Sequence, residues 1–287
     1  MLTIKALILG ILQGLTEFFP ISSSGHLTLV GHLMGVEIDL TLSIMLHIGS
    51  LAAIVFYFYQ EMRHCTHEMK GICCDFIHNV KQFLGYRGIN EEPVYVKVVS
   101  NNYRKLTLML FVAMLPTVVI AALLCPVTEY ISGNLLCSGV GLMVTALVLL
   151  VASYVEKNKK GPREAKWKDA LLVGCFQGFA VFPGVSRLGM TLSASFISGF
   201  TSKFSRIYCF LISIPTIAGA MILEGCRQNW TAASIGFFPS LIGMIAAFAV
   251  GYMTISKAMK IISFMSVRKF SIYCACMGMV SIIVYMF

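Results

Sequence analysis

The sequence predicts an all-α, polytopic membrane protein: an inverted-topology repeat with six transmembrane helices and two re-entrant helix-loop-helix hairpins. Three observations carry this. Of 287 residues, 57% are hydrophobic and only 12% charged, about half the charge of a soluble domain. The apolar runs are long and continuous, unlike the alternating segments of about ten residues that build a membrane β-barrel. Two stretches are also edited copies of each other. Gly10-Ile11-Leu12-Gln13-Gly14-Leu15-Thr16-Glu17-Phe18-Phe19-Pro20-Ile21-Ser22-Ser23-Ser24-Gly25-His26 is matched by Gly174-Cys175-Phe176-Gln177-Gly178-Phe179-Ala180-Val181-Phe182-Pro183-Gly184-Val185-Ser186-Arg187-Leu188-Gly189, at an offset of 164 or 163. Two Gly/Pro-broken apolar segments in matching positions point to a site built between two halves.

Taken in chain order, the first element is the apolar stretch Ile4–Leu33, broken in its middle by the first motif. Its length suits a hairpin that enters the membrane and returns to the same face. Broken backbone at that depth is tolerated only where protein or a wet cavity surrounds it. Three runs follow that are long enough to cross a hydrocarbon core of about 30 Å: Leu42–Tyr59, Leu106–Cys125 and Leu135–Tyr154. The stretch Ala170–Phe200 repeats the broken pattern, and Ile207–Leu223, Phe237–Ile255 and Phe270–Phe287 complete the set. The chain reads as one integral membrane domain, 1–287, with repeat one at 1–154 and repeat two at 170–287. Loop 60–105 mixes both charge signs with Phe76, Ile77, Val80, Phe83 and Leu84, as an amphipathic surface helix does; a partner-binding insert is the other reading. No cleavable signal peptide is apparent at the N-terminus.

The basic residues orient this map. Loops 60–105, 155–169, 201–206 and 256–269 hold nineteen of the 22 Lys and Arg, and threading the elements puts all four on one side. The opposite loops hold only Arg227. Lys and Arg mark cytoplasmic loops, so the first hairpin enters from outside and the second from the cytoplasm. Trp167 and Trp230 fall where interfacial aromatic anchors are expected. The net charge of +9 is thus explained by the membrane, with no nucleic-acid partner. The ten Cys form no secreted disulfide pattern, and most sit in apolar runs as small hydrophobes. His64-Cys65-Thr66-His67 with Cys73-Cys74 fits no standard zinc spacing.

The chemistry concentrates in the two breaks. Gln13 and Glu17 are four residues apart and share a helix face. An ionisable group inside a membrane is functional by default; the plain alternative is a protonated Glu17 hydrogen-bonded within the bundle. Pro20 ends the first half-helix, Gly25 frees the backbone, and Ser22-Ser23-Ser24 opens the returning half-helix. Free amides and the positive dipole end suit a phosphate there, although one serine alone would serve as a cap. His26 follows Ser23 by three residues as a candidate proton carrier, against the alternative of a packing residue. His47 is a candidate for the cavity wall. Arg187 stands at the second break beside Gly184 and Ser186. Its guanidinium stays charged when buried and needs Glu17 or an anionic ligand. Ser186 and Thr191 either add hydrogen bonds to a ligand or cap the helix.

With these residues the chain resembles the undecaprenyl-diphosphate phosphatase family of the bacitracin-resistance type, over essentially its whole length. The likeness rests on Gln13-Gly14-Leu15-Thr16-Glu17-Phe18, on Pro20-Ile21-Ser22-Ser23-Ser24-Gly25-His26 and on Pro183-Gly184-Val185-Ser186-Arg187. The family pattern allows Glu or Gln at Gln13; it commonly has a second Ser where this chain has Leu188. The resemblance implies a membrane phosphatase that removes the terminal phosphate of a polyprenyl diphosphate, returning the lipid carrier for cell-wall synthesis. It implies a divalent cation, Mg or Ca, a bacterial plasma (inner) membrane location, and a site opening on the outer face.

The mechanism expected is in-line attack on the distal phosphorus by Ser23, with His26 moving a proton. Arg187 and the half-helix amides stabilise the equatorial oxygens. Ser22, Ser24, Gly25, Gly184, Ser186 and Thr191 complete the substrate-binding set. Glu17 holds the cation, with Gln13 and waters filling an oxygen shell. Attack by a metal-activated water is the open alternative. The rival class is a polyprenyl-phosphate or anion transporter, because inverted repeats with broken helices are common there. Oligomeric state is open.

Overall fold

A computed structural model describes residues 1–85, 94–155, 159–227 and 236–287. Among these the chain is all-α, with eleven helices and no strand. The first sequence break separates α1 (Leu2–Thr16) from α2 (Ser23–Met34). The second separates α7 (Trp167–Phe179) from α8 (Arg187–Ile197). Helices of 15 residues or fewer reach roughly 23 Å at most, short of a hydrocarbon core of about 30 Å. Each pair folds back on itself. Lys5 Nζ at the start of α1 donates to the Met34 carbonyl at the end of α2, at 2.6 Å. In the second pair, Lys160 bonds the Gly199 carbonyl beyond α8 (3.1 Å) and pairs with Asp169 in the first turn of α7 (3.3 Å).

Among the described residues six helices are long and apolar enough to cross a membrane: α3 (Leu40–Tyr57), α5 (Asn102–Ile131), α6 (Leu135–Ser153), α9 (Ser202–Arg227), α10 (Phe237–Ile261) and α11 (Phe264–Met286). They coincide with the six expected runs, and most extend beyond them. α5 runs through Pro126 instead of stopping at Cys125, and holds Pro116 as well. α9 starts at Ser202, inside the segment read as a loop, because Thr201 Oγ1 accepts from the Phe204 amide at 3.3 Å. Trp230 lies outside the described residues; Trp167 is exposed at the start of α7.

The two halves interlock. α1 packs on α10 of the second half, and α7 packs on α5 of the first. The repeated glycines explain why. A Cβ on Gly10 would stand 2.2 Å from the Gly243 carbonyl oxygen, and one on Gly174 would stand 2.0 Å from that of Ala113. Small residues let helix backbones approach where lipid offers no hydrophobic drive to associate. α6 and α11 pack together, and α3 lies against α9 and α10. The hairpin breaks are thereby drawn into the middle of the bundle.

Most of loop 60–105 folds as α4 (Tyr59–Gly85), a helix with only Ile72 buried. Phe76, Ile77, Phe83 and Leu84 are exposed. Arg104 fastens α4 to α5, reaching Glu68 (2.9 Å) and Asp75. The Asn101 amide and then this guanidinium hold the Glu68 carboxyl below its usual range. His64 stacks on Tyr103 (5.0 Å).

Candidate functional site

Glu17 ends α1, and the bonds around it define the site. Its carboxylate accepts from Ser23 Oγ at 2.5 Å and from Gln13 Nε2 at 3.2 Å. Arg187 Nη1 faces the other oxygen at 3.5 Å. The Glu17 side chain is 8% exposed and that of Arg187 23%. Nη1 is buried and makes no hydrogen bond, so the guanidinium offers charge to Glu17 while keeping donors for a ligand. Gln13 Nε2 also lies 3.4 Å from Ser50 Oγ on α3, which donates to the His47 carbonyl. His47 is within electrostatic reach of Glu17, and its Nδ1 bonds the Ser43 carbonyl at 2.8 Å.

The turn that delivers Ser23 is unusual. Ser22 has φ 66°, the one positive φ on a non-glycine among the described residues. Its Oγ caps α2 by accepting from the Gly25 amide at 3.3 Å. Ser23 is then the first residue of α2, as Arg187 is the first of α8. Both stand at helix N-termini, where amides are unpaired and the dipole is positive. Ser186 caps α8 in the same way, accepting from the Gly189 amide at 3.0 Å, while its own amide bonds Thr145 Oγ1 at 2.9 Å.

The two tips touch. The Gly184 amide donates to Ser24 Oγ at 3.2 Å, and Gly25 backs onto Gly184 and Leu142. Gly184 has φ 80°, and a Cβ there would fall 1.9 Å from the Ser138 carbonyl oxygen. Gly184→Ala therefore combines a forbidden φ with a backbone clash. It is expected to cost about 2–5 kcal/mol and to lower the unfolding temperature in detergent. An unchanged melting curve would contradict this.

The structure thus brings together Gln13, Glu17, Ser23, Ser24, Gly184 and Arg187. His26 turns elsewhere: its ring bonds the Ser22 carbonyl (Nδ1, 2.7 Å) and the Tyr273 hydroxyl (Nε2, 2.8 Å). Thr191 Oγ1 donates back to the carbonyls of Arg187 and Leu188 in its own helix, so it is neither a cap, which Ser186 supplies, nor a free donor. Tyr273, Ser50 and Thr145 were not singled out by the sequence, since each reaches the site from a helix distant in the chain. A small recess lies between Glu17, Arg187, Phe210 and Ile217. An apolar cavity of about 470 Å³ flanks the second tip, lined by Val140, Phe179, Phe182, Pro183, Val185 and Met190.

For a cation, the donors present are oxygens. Gln13 Oε1 is buried without a hydrogen-bond partner, on the amide whose Nε2 bonds the Glu17 carboxylate. Among the described residues no three His, Cys, Asp or Glu side chains gather into a metal-holding group. One carboxylate with an orphaned amide oxygen fits Mg²⁺ or Ca²⁺, which take their remaining ligands from water and phosphate.

A carboxylate-bonded serine and a half-buried guanidinium, held at two helix breaks among six apolar spans, define a membrane protein built around a polar centre. The chain belongs to the bacitracin resistance protein BacA family, whose model matches residues 6–280. It is 36% identical to the undecaprenyl-diphosphatase of Alkaliphilus metalliredigens, over 99% of this chain and 98% of the relative. It is 34% identical to that of Methanosphaera stadtmanae (98% and 97% covered) and 35% identical to that of Thermosipho melanesiensis (90% and 92%).

Proposed function

We propose that this protein is a membrane phosphatase that hydrolyses undecaprenyl diphosphate to undecaprenyl phosphate and inorganic phosphate, recycling the lipid carrier for cell-wall synthesis. The observation that carries the reading is the 2.5 Å bond between Ser23 Oγ and Glu17, with the Arg187 guanidinium beside it. Transport of an anion needs no hydroxyl bonded to a carboxylate, whereas phosphoryl transfer through a serine uses one.

In this reading Ser23 Oγ attacks the distal phosphorus and Glu17 takes its proton. The bond to the bridging oxygen breaks, and undecaprenyl phosphate leaves. Water then cleaves the phosphoserine, releasing phosphate and restoring Ser23. Arg187 and the unpaired amides at the starts of α2 and α8 bind the equatorial oxygens, where charge must be stabilised in phosphoryl transfer. Glu17 and Gln13 Oε1 are the atoms that would hold Mg²⁺ or Ca²⁺. Such an ion supplies charge neutralisation on the diphosphate. The prenyl chain stays in hydrocarbon alongside apolar surfaces such as that around Pro183 and Val185. The four loops that hold nineteen of the 22 basic residues fall on one side when the spans are threaded in order, which supports a bacterial inner-membrane orientation with those loops cytoplasmic and the site opening outward.

The test is phosphate release by the purified protein in detergent micelles, where no gradient exists. Release from undecaprenyl diphosphate is expected, with loss on chelation and recovery with added Mg²⁺ or Ca²⁺. Binding of the lipid without phosphate release would favour the transporter reading instead.

A further inference from the structure

We propose that Tyr273 is a positioning residue for the reaction: through His26 it holds the strained Ser22 turn that aims Ser23 at Glu17. The proposal rests on the phosphatase reading above and adds a residue to it.

Ser22 occupies a conformation that L-residues avoid, φ 66° and ψ 99°. Such a turn persists only where its surroundings fix it. One fixing contact is on the Ser22 carbonyl, which accepts from His26 Nδ1 at 2.7 Å. A carbonyl only accepts, so Nδ1 carries the proton; in the neutral ring Nε2 is then an acceptor. The Tyr273 hydroxyl lies 2.8 Å from Nε2; with the ring proton on Nδ1 it donates to Nε2 and fixes the orientation of the ring. The two rings also stack, with centroids 5.5 Å apart and planes 3° from parallel.

Tyr273 does not act alone. One turn of α11 grips the whole break between α1 and α2. Phe270 packs on Phe19 at 5.5 Å, and Cys274 Sγ approaches the Pro20 carbonyl at 3.6 Å. Ser271 anchors that turn to α6 by donating to the Ala146 carbonyl at 2.6 Å. Tyr273 is 41% exposed, so core packing does not account for its place; the His26 contact does. Removal of the hydroxyl leaves Nε2 without its donor and frees the imidazole to rotate off the Ser22 carbonyl. A rotated ring presents no Nδ1 proton to Ser22, whose carbonyl then keeps only the weaker His26 amide at 3.4 Å beside the nucleophile.

Tyr273→Phe keeps the stacked ring and removes only the hydroxyl. The expected result is a five- to tenfold fall in kcat, the size of one ordinary hydrogen bond, with KM within about twofold and an unchanged melting temperature. In a His26→Ala background the same substitution should have no further effect, since its route to Ser22 is gone. Nitrogen-15 spectra of labelled protein supply a reading independent of turnover. His26 should show a protonated Nδ1 and a bare Nε2 in the parent, and mixed tautomers in Tyr273→Phe. Unchanged kcat in Tyr273→Phe, a full additional loss in the His26→Ala background, or mixed tautomers in the parent would each overturn the proposal. Ser23→Ala separates the two levels. An inactive Ser23→Ala beside a fully active Tyr273→Phe removes the positioning role alone; an active Ser23→Ala removes the serine route itself.

Discussion

Ser23→Ala is expected to lower kcat by about 10³-fold or more, the range seen when a covalent nucleophile is removed. KM should change little, because the phosphate is held by Arg187 and the helix amides. The neighbouring serines cannot substitute. Ser22 Oγ is committed to the Gly25 amide, and Ser24 Oγ takes the Gly184 amide. Their hydroxyls lie 3.2 Å from each other and neither bonds Glu17, so neither has a carboxylate to take its proton. Radiolabel from the distal phosphate should appear on the parent protein after a rapid acid quench and be absent from Ser23→Ala. A variant that kept most of its turnover would mean that water attacks directly and that Ser23 only orders it.

Much of this centre was legible because its parts are local. Gln13 and Glu17 are one helical turn apart, and the serines follow Pro20 at once, so sequence spacing alone sets them side by side. The match between Gly10 and Gly174 belongs to the repeat that points to a site between two halves, and both glycines seat a carbonyl of a neighbouring helix. Helix ends were less legible. On sequence the apolar run ends at Cys125, yet α5 continues through Pro126. The Pro ring deletes one amide bond, and a helix with so few buried side chains along its length yields no signal of where packing ends. His26 shows the deeper limit. Its distance from Ser23 along the chain suggested a shared proton. The imidazole instead folds back to the Ser22 carbonyl and meets Tyr273, 247 residues away. Nothing near either residue encodes that meeting; the packing of α6 with α11 creates it.

Arg187→Ala is expected to reduce kcat by about 10²- to 10³-fold, as removal of a donor aimed at transition-state charge does. Arg187→Lys distinguishes charge from geometry. Lys restores one positive charge but presents a point donor where Arg presents a rigid fork. If the guanidinium only neutralised Glu17, Lys would restore nearly full turnover. Nη1 stands 3.5 Å from the carboxylate without hydrogen-bonding it, so its donors are spare for two oxygens of the transferring group. Arg187→Lys should therefore recover only a small part of the loss, with the deficit in kcat more than in KM. The fold should survive either change, because Glu17 keeps Ser23 and Gln13 as partners. A fully active Arg187→Lys, measured as phosphate release at saturating substrate, would show that the guanidinium acts on Glu17 and leaves the phosphoryl group to the helix amides.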